Sequence, residues 1–317
     1  MRLPAFNPKV ALFVGVVAIS TSAIFVRLAE DAPAAITAFY RLLFAVLLMS
    51  PIVFGHYRHE FKHISSKKWI FSILAGIFLA LHFILWFESL NLTSVASSVV
   101  FVSIQPLFAF IGTYFLFQER LSYGSIISII IALFGSIIIG KGDLELSQTA
   151  FWGDILAILG ALAVTAYFLI GQSTRKSLSL MTYTFIVYGV ATITLLIYNV
   201  VLQHSFFGYS STSWWSFLAL AIIPTFFGHS IFNWCLRWLS TTTVSMAGLL
   251  EPVGASILAY LFLDETITWS QFLGGTIVIF GLYLFIVSTS KKKSVTISQK
   301  KVSEKREVYD GNSTYDR

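Results

Sequence analysis

Apolar residues run along this chain in blocks of about twenty, each closed by a short polar or charged connection. A helix of about twenty residues crosses a hydrocarbon layer of roughly 30 Å. Ten such blocks lie near 9–29, 33–54, 68–90, 94–117, 122–140, 151–171, 180–201, 214–237, 241–263 and 267–288. A transmembrane barrel would show shorter segments alternating with period two, and the unbroken runs here exclude that pattern. The pattern therefore predicts an all-α polytopic membrane protein of ten transmembrane helices, with consecutive helices antiparallel.

Composition agrees with a lipid-embedded chain: 56% of residues are hydrophobic and 11% charged. The basic residues set an orientation, because Lys and Arg favour the cytoplasmic side of short loops. If the spans alternate, Arg2, Lys9, Arg58, Lys62, Lys67, Lys68, Arg120, Arg175, Lys176, Arg237 and the basic tail share one side, while Arg27, Arg41 and Lys141 do not. Both termini are thus expected in the cytoplasm and the chain in a cell membrane, a bacterial inner membrane being the simplest setting. The formal charge of +6 is then an orientation signal and not a nucleic-acid footprint. The first apolar run is too long for a signal-peptide core and reads as the first span. Residues 291–317 read as a disordered basic tail, with Lys291, Lys292 and Lys293 near anionic headgroups. The single cysteine, Cys235, excludes an intrachain disulfide.

Sliding the chain against itself changes the picture most. At an offset of 146, "SLNLTSVASSVVFVSIQPLFAFIGTYFLFQERLS" meets "CLRWLSTTTVSMAGLLEPVGASILAYLFLDETIT" without a gap. Pro106 aligns with Pro252, Tyr114 with Tyr260, Glu119 with Glu265 and Gly135 with Gly281. Residues 1–145 and 146–290 therefore read as two five-helix repeats. An odd number of spans turns the second copy upside down, an arrangement that secondary transporters use to open one midplane site to either side. Glu119 and Glu265, in turns before the next helix, read as helix-capping acids.

The costly residues mark the candidate path. Glu251 lies about ten residues into the ninth span, where an ionised side chain costs at least ~2.5 kcal/mol, so it must face protein or water. Pro252 removes a backbone donor beside it, and Gln105 with Pro106 occupies the same place in the fourth span. Glu251 and Gln105 are expected as opposite walls of a central cavity, binding substrate or a proton, or else as interhelical glue. Arg41 in the second span leans outward and Glu88 in the third inward. The two are expected as a structural pair or as snorkelling side chains, or Arg41 as an outer gate or anion contact. His82, Trp86 and Ser89 share one helical face, as do His229 and Asn233 in the equivalent eighth span. These side chains suit hydrogen bonding to a polar solute, or interhelical packing. His56, His59 and His63 have helical spacing, but Arg58 and Lys62 beside them argue against a metal site.

No phosphate-binding loop is present to use ATP, which points to a gradient as the energy source. No metal-ligand set, HExxH or nucleophile elbow supports an intramembrane enzyme acting on a lipid or isoprenoid, and no cofactor is implied. A channel would build its pore from oligomeric rings, whereas this chain carries its own pseudo-twofold. The expected activity is secondary transport of a small polar or amphipathic organic metabolite, with export as the direction and protons as the coupling ion. The expected partners are that solute and the bilayer, and the chain is expected as a monomer or homodimer.

Ten spans in two halves, "FYRLLFA" in the second helix and the paired helix ends "QPLFAFIGTYFLFQE" and "EPVGASILAYLFLDE" resemble the drug/metabolite transporter superfamily, specifically its EamA-type members. The resemblance covers residues 9 to 288. It implies transport of cargoes as varied as amino acids, other metabolites, nucleotide-type solutes and drugs. Four-helix relatives coupled to protons carry a glutamate in their first helix; neither the first nor the sixth span here has an acid in its middle.

Overall fold

The computed structural model describes residues 4, 6–93, 95–141, 148–262 and 266–289. Ten helices occupy them: α1 Pro8–Leu28, α2 Ala34–Tyr57, α3 Ser66–Leu92, α4 Ser97–Phe117, α5 Tyr123–Lys141, α6 Gln148–Thr174, α7 Leu180–Val201, α8 Ser211–Cys235, α9 Thr241–Phe262 and α10 Trp269–Thr289. Nine of them are long and apolar enough to cross a membrane, and α5 adds a shorter apolar stretch. This is the all-α, ten-helix architecture of two inverted repeats. The face on which α1 begins and α10 ends is called the N-face below.

Four helices are irregular where they approach the centre. α1 is interrupted at Thr21. α4 breaks at Ser103–Ile104 and α9 at Leu249–Leu250, 146 residues apart, the same interval that separates the aligned prolines. After each break the helix restarts with the polar residue that precedes its proline, Gln105 or Glu251. α8 widens to a π-helix over Ala221–Ser230, around Pro224. Proline lacks the N–H that would bond the Leu220 carbonyl four residues back. The Thr225 hydroxyl donates to that carbonyl instead, at 2.8 Å.

α3 forms the heart of the bundle, packed along α6 and α7, while α2 packs on α7 and α8. Small residues set these approaches. Gly160 brings α6 against the backbone of His82 and Trp86, and Gly76 brings α3 against Val187 and Val190 of α7. α5 and α10 cross through Gly135, Gly274 and Gly281, where a β-carbon on Gly135 would lie 2.7 Å from the Gly274 carbonyl oxygen. The outward faces carry Phe115, Phe134, Phe262, Phe272 and Tyr283, apolar surface that suits acyl chains.

Two expectations need correction. Glu119 does not cap α5; Ser122 does so, accepting from Ser125 N at 3.1 Å. Glu119 reaches across to α6, accepting from Gln172 Nε2 at 2.8 Å, while Gln172 Oε1 accepts from Thr241 N at 2.6 Å. That chain ties the ends of α4 and α6 to the start of α9, and burial pushes the Glu119 carboxyl above its usual range. The second correction concerns Arg41 and is given with the site below. Asp143, Glu145, Asp264, Glu265, the 145/146 boundary and the tail 291–317 lie outside the described residues.

A loop acid makes a helix cap on the opposite face. Asp31, between α1 and α2, accepts from the Ser213 hydroxyl and from Ser210 N at 2.6 Å, at the start of α8. These bonds, the Ser213 hydroxyl foremost, hold its carboxyl below the ordinary value of 3.8. A depressed carboxylate stabilises the fold above its unfolded pKa, and that stabilisation fades as pH falls through the folded value. Asp31→Asn is therefore expected to lower the melting temperature in detergent at pH 7. The difference from the parent should close below about pH 4; a gap that persists there would rule out this ionisation as its cause.

Candidate functional site

The two restarted half-helices aim at one place. Glu251 and Gln105 both line a central cavity of about 30 Å³, together with Ser22 and Ile19 of α1, His82 and Trp86 of α3, Val102 of α4, Val164 and Phe168 of α6, and His229 and Phe232 of α8. The breaks in α4 and α9 are what let these side chains face inward at mid-helix depth, and such broken helices are tolerated in lipid only where they border protein or water.

Each polar group presents specific atoms. His82 Nδ1 lies 3.0 Å from the Gly160 carbonyl oxygen, which can only accept, so Nδ1 carries the proton and Nε2 of the neutral ring remains an acceptor. Its ring stacks on Trp86 at 5.7 Å with planes 10° apart, and it lies 6.3 Å from His229. Trp86 Nε1, His229 Nδ1 and Gln105 Oε1 are buried without hydrogen-bond partners. The Gln105 amide rests against Gly248, where a β-carbon would lie 3.2 Å from Nε2. Glu251 is 8% exposed and has no hydrogen-bond partner among the described residues. Buried polar atoms are nearly always satisfied, so a cluster of open ones around a single cavity marks a place where a ligand or water completes the bonding.

Arg41 stands one side chain behind this wall. It is fully buried. Its Nη1 donates to Ser22 Oγ at 2.8 Å and its Nε to Thr225 Oγ1 at 2.8 Å, and its guanidinium lies 4.3 Å over the Phe83 ring. Nη2 has no partner. The expected approach to Glu88 is not made: Glu88 accepts from Asn91 Nδ2 at 3.4 Å near the end of α3 instead. Glu251 lines the same cavity as Ser22, the hydroxyl to which Arg41 Nη1 donates.

Asn233 sits apart from the cavity lining. Its Nδ2 donates to the Tyr167 hydroxyl and, at 2.8 Å, to the His229 carbonyl, while its backbone carbonyl accepts from Arg175 Nε at 3.1 Å. With Tyr167, Tyr183 and Arg175 it forms a buried polar plug between the cavity and the N-face. Of the residues singled out in the sequence, the structure thus gathers Glu251, Gln105, His82, Trp86 and His229 around the cavity. It sets Arg41 behind Ser22, and Asn233 below. Ser22 and Thr225 escaped notice because a hydroxyl in a span is ordinary; the Pro224–Thr225 step was the available signal.

Comparison with known proteins matches the EamA-like transporter family twice along the chain, over residues 9–141 and 151–287. The chain belongs to this family. Both matches hold one broken helix, α4 in the first and α9 in the second, so each copy supplies one polar half-helix start to the cavity. Among its relatives is an uncharacterized transporter, YxxF, of Bacillus subtilis (strain 168), 27% identical over 260 residues, 81% of this chain and 83% of that one. Another is a probable amino-acid metabolite efflux pump of Escherichia coli (strain K12), 28% identical over 193 residues, 58% of this chain and 64% of that one. A crystal structure with a TM-score of 0.73 and 14% identity, covering 89% of this chain and 98% of its own, shares the fold. The protein is accordingly a multi-pass membrane transporter of the drug/metabolite transporter superfamily.

Proposed function

We propose that this transporter carries a small polar or amphipathic organic metabolite by alternating access through the central cavity, without catalysing a reaction. The observation that supports this reading most strongly is the convergence of Gln105 and Glu251 on one buried cavity. Each heads a half-helix that restarts after a break, and the two are related by the repeat. Two inverted halves that share a site can rock between packings open to opposite sides. The cavity as it stands, about 30 Å³, has room for water and not for a metabolite, so a metabolite enters only as the walls move apart, and the Asn233–Tyr167–Arg175 plug on the N-face is a natural gate. The excess of Lys and Arg on the N-face supports a cytoplasmic orientation for it, in keeping with a bacterial inner membrane, and the efflux pump among the relatives favours export.

The test begins with a thermal-shift screen of metabolites on the purified protein, since a ligand that binds only the folded state raises its melting temperature. A hit is then followed in proteoliposomes. Saturable uptake accelerated by unlabelled solute on the far side is expected. Single-channel currents with no such acceleration would favour a channel and sink the carrier reading.

A further inference from the structure

The charges around the cavity do not balance in place. Arg41 is a fully buried cation whose two formed hydrogen bonds go to neutral hydroxyls, Ser22 and Thr225, and whose Nη2 is unspent. Its ring contact with Phe83 orients the guanidinium but supplies no counter-charge. Among the described residues the carboxyl that shares the cavity with Ser22, the hydroxyl to which Arg41 donates, is Glu251, and no described side chain donates to it. The positive charge is therefore anchored and the negative charge is free. The other titratable groups facing this pair are His82 of α3 and His229 of α8, with the Tyr167 and Tyr188 phenols of α6 and α7 beyond Arg41. None of these supplies a fixed negative charge at neutral pH.

We propose that the cavity binds a monocarboxylate anion through Ser22 and Arg41, and that this binding makes Glu251 take up a proton, so anion and proton occupy the site together. The reason is charge balance. A buried cation can offset one buried anion, and a second leaves net charge in a medium where uncompensated charge is expensive. The proposal requires that in the empty site an ionised Glu251 offsets Arg41. When a solute carboxylate arrives beside Ser22 it takes over that role, and Glu251 becomes neutral by accepting a proton from solvent. Trp86, Phe168 and Phe232 line the same cavity, and once the walls move apart their rings would flank an apolar or aromatic body on that carboxylate. The loaded site is electroneutral, so a cell that accumulates an organic acid can discharge it as anion plus proton. This inference rests on the transport reading for its purpose, but its chemistry can be measured without flux.

The experiment uses the full chain in lipid nanodiscs at pH 7 with acetate and benzoate as probes. Proton uptake is followed with a pH dye in weak buffer, and the protonated-carboxyl stretch by infrared difference spectroscopy. In the parent, about one proton should be taken up per carboxylate bound, and the carboxyl band should grow. Glu251→Gln should still bind the probes but take up no proton and lose the band. Arg41→Gln should show the band before any probe is added and should lose probe binding, whereas Arg41→Lys should restore part of both. The proposal is overturned if neither carboxylate changes the parent, if uptake persists in Glu251→Gln, or if the probe-free Arg41→Gln lacks the band. Should Arg41→Gln fail to fold, the parent and Glu251→Gln measurements decide alone. A protein that passes these tests but shows no accelerated exchange in vesicles would fail as a carrier while keeping the site chemistry.

Discussion

Glu251→Gln is expected to separate exchange from net transport. In vesicles loaded on both sides, counterflow should stay within a few-fold of the parent, because the loaded site is neutral with a glutamine as it is with a protonated glutamate. Net flux into empty vesicles should fall by about 100-fold or more. The empty carrier must then return with the Arg41 cation unmatched in a low-dielectric site, at a cost of several kcal/mol, and each 1.4 kcal/mol is tenfold. The retained carbonyl and shape keep packing similar, so melting temperature should change little. Equal losses of counterflow and net flux would show that the carboxylate serves binding or structure and has no part in balancing Arg41.

Gly135→Val should produce a large loss of stability at the repeat-related α5–α10 crossing. A β-carbon there would sit 2.7 Å from both the Gly274 carbonyl oxygen and the Val278 nitrogen, and 3.0 Å from Ile277 Cβ. Two of these neighbours are backbone, which cannot swing away as a side-chain tip can. Overpacking of this kind costs about 1–3 kcal/mol or more. The melting temperature in detergent should fall by about 5 °C or more. Gly189→Ala in α7 is the control, since a β-carbon there meets nothing within 4 Å. A Gly135→Val protein as stable as the control would mean that α10 is free to move off α5.

Why one part of the site could be read from residues alone and another could not is clear from particular side chains. Glu251 stood out because charge is rare and costly in a span, and its tie to Gln105 followed from the repeat and the paired prolines. His82 and His229 stood out in the same way. The partners of Arg41 did not. In water, an amphipathic stripe tells which face of a helix is buried, but in lipid the outside is as apolar as the inside. The rotation of α2 about its axis therefore left little trace, and Glu88 was as good a candidate for Arg41 as the hydroxyls of α1 and α8 that it meets. Asn233 shares a face with His229, yet the widened turn of α8 ahead of it directs it to Tyr167. Glu119 has the spacing of a helix cap, yet Gln172 of α6 competes for it across the end of the bundle.

The sequence by itself determined the ten membrane-crossing helices, the inverted duplication and the depth of the polar residues, because hydrophobic length and chain order fix these without knowledge of neighbours. Only the tertiary structure decided which helix faces meet. It put Arg41 on Ser22 and Thr225, left Glu251 without a donor among the described residues, and placed Asn233 in a plug below the cavity. Those outcomes depend on glycine-sized approaches between helices distant in the chain, at Gly160, Gly76 and Gly248. No local pattern records which backbone will lie against them.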